Sequence, residues 1–110
     1  MDNFEKELYR FLSESTEDDW YEFPDLHLSI YGGTKKGCVR LILITIDTKK
    51  QNTGLFTLFH HHLEWAIRNR DDVSSVLFFN VIHDRLRDFL LNHDYIRSGK
   101  DWIKCNKPPK

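Results

Sequence analysis

Six residues, Gln51-Asn52-Thr53-Gly54-Leu55-Phe56, stand where the most apolar strand candidate of the chain hands over to its longest helix candidate. A strand-to-helix turn leaves several backbone N–H groups pointing outward without partners, and a glycine lets the main chain approach a ligand closely. That combination suits an anion. The N–H groups from Asn52 to Phe56, at a helix N-terminus, would hydrogen-bond phosphate oxygens, and Lys49 and Lys50 would add a screened attraction. The same residues also make an ordinary change of direction.

Other groups with chemical potential are scattered. His60-His61-His62 invites a metal reading, but three consecutive helical residues spread around the helix, whereas two ligands on one face need a spacing of three or four; they are read as surface or packing histidines, and no metal site is expected. His83-Asp84 opens a short helix, with Asp84 at its positive end and His83 either a cap or a proton-transfer group. His61 and Trp65, four apart, are expected to pack together. Cys38 and Cys105 have neither the spacing of a zinc site nor that of a redox pair.

The elements that must position these groups follow from periodicity. Asp2 or Asn3 caps a helix with Phe4, Leu8, Phe11 and Leu12 on one face, ending near Ser13. The stretch SESTEDDWYEFPD reads as a loop closed by Pro24. Leu26–Tyr31 and Cys38–Ile46 form an antiparallel hairpin, with GGTKKG as its turn and the second strand covered on both faces. Leu55, Phe59, Leu63 and Ile67 mark an amphipathic helix ending near Arg68 and Arg70. Ser74–Ile82 is a second buried strand, parallel to the first through a right-handed crossover. A short helix with Leu86, Phe89 and Leu90 inward follows, then two short strands turning at Ser98-Gly99-Lys100. The expected architecture is α/β, a mixed, largely antiparallel sheet of about five strands flanked by helices. It forms one domain: an acidic helix and loop over 1–24, a core over 25–105 and a tail over 106–110.

Fifteen aromatics in 110 residues predict a dense core, and the formal net charge of -1 argues against general nucleic-acid binding. That reading would need Arg85, Arg87, Arg97, Lys100, Lys104, Lys107 and Lys110 on one face. Residues 1–22 carry eight acids against Lys6 and Arg10, which leaves a formal net charge of +5 on the rest of the chain. The acidic segment is either a solvated face or a charge-guided contact with a ligand or a protein partner. No apolar run is long enough to span a bilayer. Without a leader sequence, the reducing cytoplasm is the expected location.

A hairpin, a polar Gln/Arg-x-x-Gly-x-Gly/Ala turn entering a helix, a buried strand, a helix beginning near an Asn and a closing aromatic together resemble the GNAT N-acetyltransferase superfamily over residues 26–105. Gln51 and Gly54 match the first and fourth positions of the family's acyl-CoA pyrophosphate loop. The resemblance implies that acetyl-CoA or another acyl-CoA is held at Gln51–Phe56. Thr45, Ile46 and Asp47 would lie along its pantetheine arm, which would slip between this strand and the one ending at Asn80. The implied activity is acetyl transfer to a primary amine of a small molecule or a protein lysine, the thioester oxygen being held by a backbone N–H near Ile46. Asn80 or His83 would be the polar group at the far side, with deprotonation by water or His83. Trp20, Tyr21 and Glu22 would line the acceptor end, where Asp18, Asp19 and Glu22 would favour a cation, or else the aromatics form a hydrophobic plug.

The chain also departs from the family pattern. Phe56 stands where Gly or Ala is preferred, Leu90 falls at the position of a frequent catalytic tyrosine, the strand RLILITI carries no carboxylate, and the family's first strand is missing or replaced by the N-terminal helix. These departures open the alternative of a catalytically inactive binding or structural protein of this fold, similar in length to small stand-alone relatives that include phage-borne ones.

Overall fold

The computed structural model describes residues 3–14, 17–47, 49, 54–68 and 70–106. Phe4, Leu8, Phe11 and Leu12 recur at helical spacing, and helix α1 (Asn3–Ser13) buries all four. The segment after it is a strand where a loop is expected. Strand β1 (Asp19–Phe23) pairs antiparallel with β2 (Leu28–Lys35), Phe23 opposite Leu28 and Tyr21 opposite Ile30. Its acids mask the pattern, yet Tyr21 and Phe23 alternate with Trp20 and Glu22, so one side faces the core and the other does not. Pro24 ends the strand by opening a 3-10 turn, Pro24–Leu26.

Strand β2 runs further than its sequence suggests. Gly32 and Gly33 lie inside it, and the turn to β3 (Cys38–Ile46) is only Lys36-Gly37, both at positive φ. Two left-handed residues are what a tight hairpin turn requires, since their twist matches that of the strands. The buried Gly32 serves a different need. A Cβ there would sit 1.9 Å from the Arg40 carbonyl oxygen, where the β2–β3 register shifts. The shift sets Tyr31 opposite Leu43 and Gly32 opposite Leu41, leaving Ile42 as the extra residue of a bulge. It brings Ile44 and Ile46, opposite Ile30 and Leu28, onto the same face as Val39 and Leu41.

Helix α2 (Leu55–Ile67) buries Phe59, Leu63 and Ile67 and crosses to β4 (Ser75–Phe78), which pairs parallel with β3. Helix α3 (Asp84–Asn92), β5 (Ile96–Ser98) and β6 (Asp101–Cys105) follow, giving the sheet order β1-β2-β3-β4-β6-β5. The result is an α/β fold with a mixed six-stranded sheet, β3–β4 being its parallel pair, and three α-helices.

Phe4 of α1 meets both Phe23 (5.8 Å between ring centroids) and Phe59 of α2 (6.4 Å), so both helices cover the same sheet face. Phe89 of α3 lies 5.1 Å from Phe56, whose ring is 6.2 Å from Phe78 on that face. Burying side chains of this size contributes about 1.5–3 kcal/mol each, and one continuous core results. The opposite sheet face carries no helix among the described residues. Leu43 of the central strand β3 is 54% exposed, so this strand is covered on one face and not, as expected, on both. Trp65 is 67% exposed, on the solvent side of α2, rather than packed.

Candidate cleft between the parallel strands

The parallel ladder ends at Leu41 opposite Phe78, with one more bond from the Phe79 N–H to the Leu41 carbonyl at 3.0 Å. There the chain turns away. Asn80 adopts a left-handed conformation (φ 51°), its N–H donates to Asp101 Oδ1 at 2.8 Å, and the Val81 N–H donates to the Lys100 carbonyl at 2.7 Å. An asparagine tolerates this conformation better than most residues. The segment after β4 therefore follows β6, while β3 continues alone to Ile46. Expected as strand through Ile82, the second parallel element is regular only over Ser75–Phe78.

A cleft of about 550 Å³ opens where the two strands part. Ile44, Ile46, Leu55, Phe56, Leu86 and Phe89 form its apolar walls, and Gly54, Thr57, His83, Asp84 and Arg85 lie at its polar end. Both helices that flank it present their N-termini. Gly54 precedes α2 at φ 82° and His83 precedes α3, and neither helix has a side-chain cap hydrogen bond. The first intrahelical bonds come from Leu58 to the Gly54 carbonyl and from Arg87 to the His83 carbonyl. The N–H groups of Leu55, Phe56, Thr57, Asp84 and Leu86 therefore precede the hydrogen-bonded ladders of their helices. Two positive helix ends at one opening favour an anion. The Asp84 carboxylate opposes this, but it is paired with Arg87.

The sequence-predicted residues separate into three groups. Ile46, Gly54, Leu55, Phe56 and His83 line the cleft together, whereas Gln51, Asn52 and Thr53 lie outside the described residues. The Phe56 ring packs inward against Phe78 and Phe89 as part of the cleft floor. Asn80 is not on the cleft wall: it is exposed, and it acts through its backbone by turning the chain. Trp20, Tyr21 and Glu22 do not form one surface. Tyr21 points to the helix side, 5.3 Å from Phe11, while Trp20 stands on the bare sheet face, 5.5 Å from Tyr31, and Glu22 shares that side. Leu90 is buried in the core.

The cleft residues not expected as site residues are Ile44, Thr57, Asp84, Arg85, Leu86 and Phe89. The signal for the second helix end, Asp84 after an uncapped turn, was present in the sequence; that it faces the first is a tertiary fact. Of the basic residues proposed for a nucleic-acid face, Lys104 is engaged by Glu64 at 2.6 Å, Arg87 by Asp84 and Arg97 by the Gly99 carbonyl at 2.8 Å, whereas Lys107 and Lys110 lie outside the described residues. Among the described residues no group of three or more potential ligands could hold a metal ion, and no helix is long and apolar enough to cross a membrane.

A second polar cluster is buried behind the cleft. His60 Nε2 and the Tyr95 hydroxyl are hydrogen-bonded at 2.8 Å, and Nδ1 lies 3.4 Å from Glu64 Oε1; since a carboxylate only accepts, this arrangement favours the neutral tautomer with its proton on Nδ1 and Nε2 accepting from Tyr95. Burial lowers the His60 pKa to about 4 against the pull of Glu64. Burial likewise pushes the Tyr95 phenol well above its ordinary range, aided by the Glu64 charge. Partial burial of Glu64 works against its ionisation, and the Lys104 hydrogen bond overcomes it, so its pKa lies below the usual carboxylate value.

No protein-family model and no curated protein sequence matches the chain. Similar solved structures do exist. Ard1 from Thermoplasma volcanium is 13% identical, with a TM-score of 0.54 over 91% of each chain. The KacTA–DNA complex is 12% identical, with a TM-score of 0.50 over 82% of this chain and 55% of that one. The chain thus spans about half the length of the KacTA chain it matches. These likenesses give the protein a GNAT-like fold.

Proposed function

We propose that the protein binds an acyl-CoA in the cleft between β3 and β4 and presents its thioester to an amine of a small molecule or a protein lysine. The observation that carries the reading is the convergence of two helix N-termini, neither closed by a side chain, on one apolar cleft in a GNAT-like fold. A bound acyl-CoA would supply an activated acyl group. The chain's own part is to hold the diphosphate at the first-turn N–H groups of α2 and to cover the apolar arm with Ile44, Ile46, Leu86 and Phe89. His83, exposed at the cleft, takes up the proton of the attacking amine, and proximity does most of the rest.

The test is calorimetric titration with acetyl-CoA, with ADP and pantetheine as separate probes, on the parent and on Ile46→Trp, which fills the cleft with bulk. The variant is expected to bind at least tenfold more weakly, about 1.4 kcal/mol. No heat and no rise in unfolding temperature at millimolar acetyl-CoA would overturn the proposal. Transfer is tested separately, by thiol release from acetyl-CoA in the presence of polyamines and lysine peptides, with His83→Gln as the slowed variant.

A second reading, binding without transfer, is favoured by two observations. Leu90 is fully inside the core, and the Tyr95 hydroxyl is already engaged by His60. Thiol release no faster with amine than without it would select this reading.

A further inference from the structure

Among the described residues nothing covers the sheet face opposite the helices, and its side chains are those of an interface. Alternation and register place Trp20, Tyr31, Leu43, Leu77, Ile103 and Ile96 on it. Trp20 is 49% and Ile96 70% exposed, and Leu77 and Ile103, on inner strands where a covering layer would bury them, remain partly exposed. The charge within this apolar band is internally matched: Arg40 pairs with Asp18 at 2.9 Å and lies 5.0 Å from the Phe79 ring centre. Six strands at about 4.8 Å spacing and roughly 18 Å mean length span on the order of 500 Å² in projection. With side-chain relief added, that approaches the ~800 Å² per partner of a standard interface.

We infer that this face is the interface of a homodimer, two sheets stacked face to face about a two-fold axis parallel to the strands. Two features select a second copy of the chain as the occupant. The band runs across the strands from edge to edge, so the two-fold lays it upon itself, the self-complementarity a symmetric interface needs. The strand order also sets Glu22, on β1, at the opposite edge of the sheet from Lys100 in the β5–β6 turn. The same axis brings Glu22 of each copy over the Lys100 edge of the other. The acyl-CoA cleft opens on the helix side, formed by the first turns of α2 and α3, so the dimer stands independently of that reading.

Sedimentation equilibrium on the parent, up to about 100 μM, should give twice the 13.2 kDa chain mass. Leu43→Asp should return the mass to one chain with an unchanged circular dichroism spectrum, and Ile96→Glu carries the same test if that variant fails to fold. Glu22→Lys should weaken the dimer at least tenfold, and adding Lys100→Glu should restore it. A parent that stays monomeric throughout, or a dimer indifferent to both Leu43→Asp and Ile96→Glu, overturns the inference. Dimerisation with another surface would show as the second outcome.

Discussion

His60 makes the stability of this protein depend on pH in a way that can be worked from its surroundings. Its ring is buried, with Tyr95 at Nε2 and Glu64 at Nδ1, and its pKa is lowered from 6.5 to about 4, chiefly because an imidazolium there would lose its hydration. In the unfolded chain this group takes up a proton near pH 6.5; in the folded chain it does so only near pH 4. Within that window the unfolded state holds more protons, so stability rises with pH and falls on acidification. At about 1.4 kcal/mol per pH unit, the loss across the window is roughly 3 kcal/mol. For a chain of this size that lowers the unfolding temperature by on the order of 10–20 °C. The assay is thermal unfolding in steps from pH 7 to pH 4, for the parent and for His60→Gln, which keeps a polar side chain but does not titrate. The variant should begin less stable and lose less on acidification, the two total losses between pH 7 and pH 4 differing by roughly 3 kcal/mol. Glu64 titrates together with His60, and the remaining carboxylates add a slope common to both proteins. Parallel curves would refute the reasoning, since they would mean that His60 charges as readily in the folded chain as in the unfolded one.

Two further substitutions probe the frame around the cleft. Tyr95→Phe leaves the buried Nε2 of His60 without its donor and should cost about 1–3 kcal/mol in denaturant unfolding; Tyr9→Phe, on a residue 61% exposed, is the control, with an effect within about 0.5 kcal/mol. Gly32→Ala sets a Cβ 1.9 Å from the Arg40 carbonyl oxygen, a backbone atom that cannot swing aside. It should cost about 3 kcal/mol or more, or prevent folding, and a midpoint within error of the parent would show that the bulge does not need the glycine.

Much of the fold was legible because burial writes periodicity into a sequence. The four-residue spacing of Leu55, Phe59, Leu63 and Ile67 specified α2, and the β-branched run Cys38–Ile46 specified β3, whatever their neighbours turned out to be. The first cleft wall was legible for the same reason: a glycine between a strand and a helix marks a helix entrance. The sequence misled where a local feature had a tertiary cause. Gly32 and Gly33 read as turn residues, yet they are strand residues that make room for the bulge; the acids around Trp20 and Tyr21 read as loop, yet they decorate an edge strand with one side exposed.

What the sequence by itself determined is the order and type of most elements, because these depend on contacts within a few residues. Only the tertiary structure decided that the left-handed turn at Asn80 parts β4 from β3, that the N-termini of α2 and α3 meet across the gap, and that His60 finds Tyr95 thirty-five residues away. It also decided that the three described helices share one side of the sheet, with nothing among the described residues covering the other. These outcomes rest on pairings between distant segments, and no local pattern of residue types encodes which faces will meet.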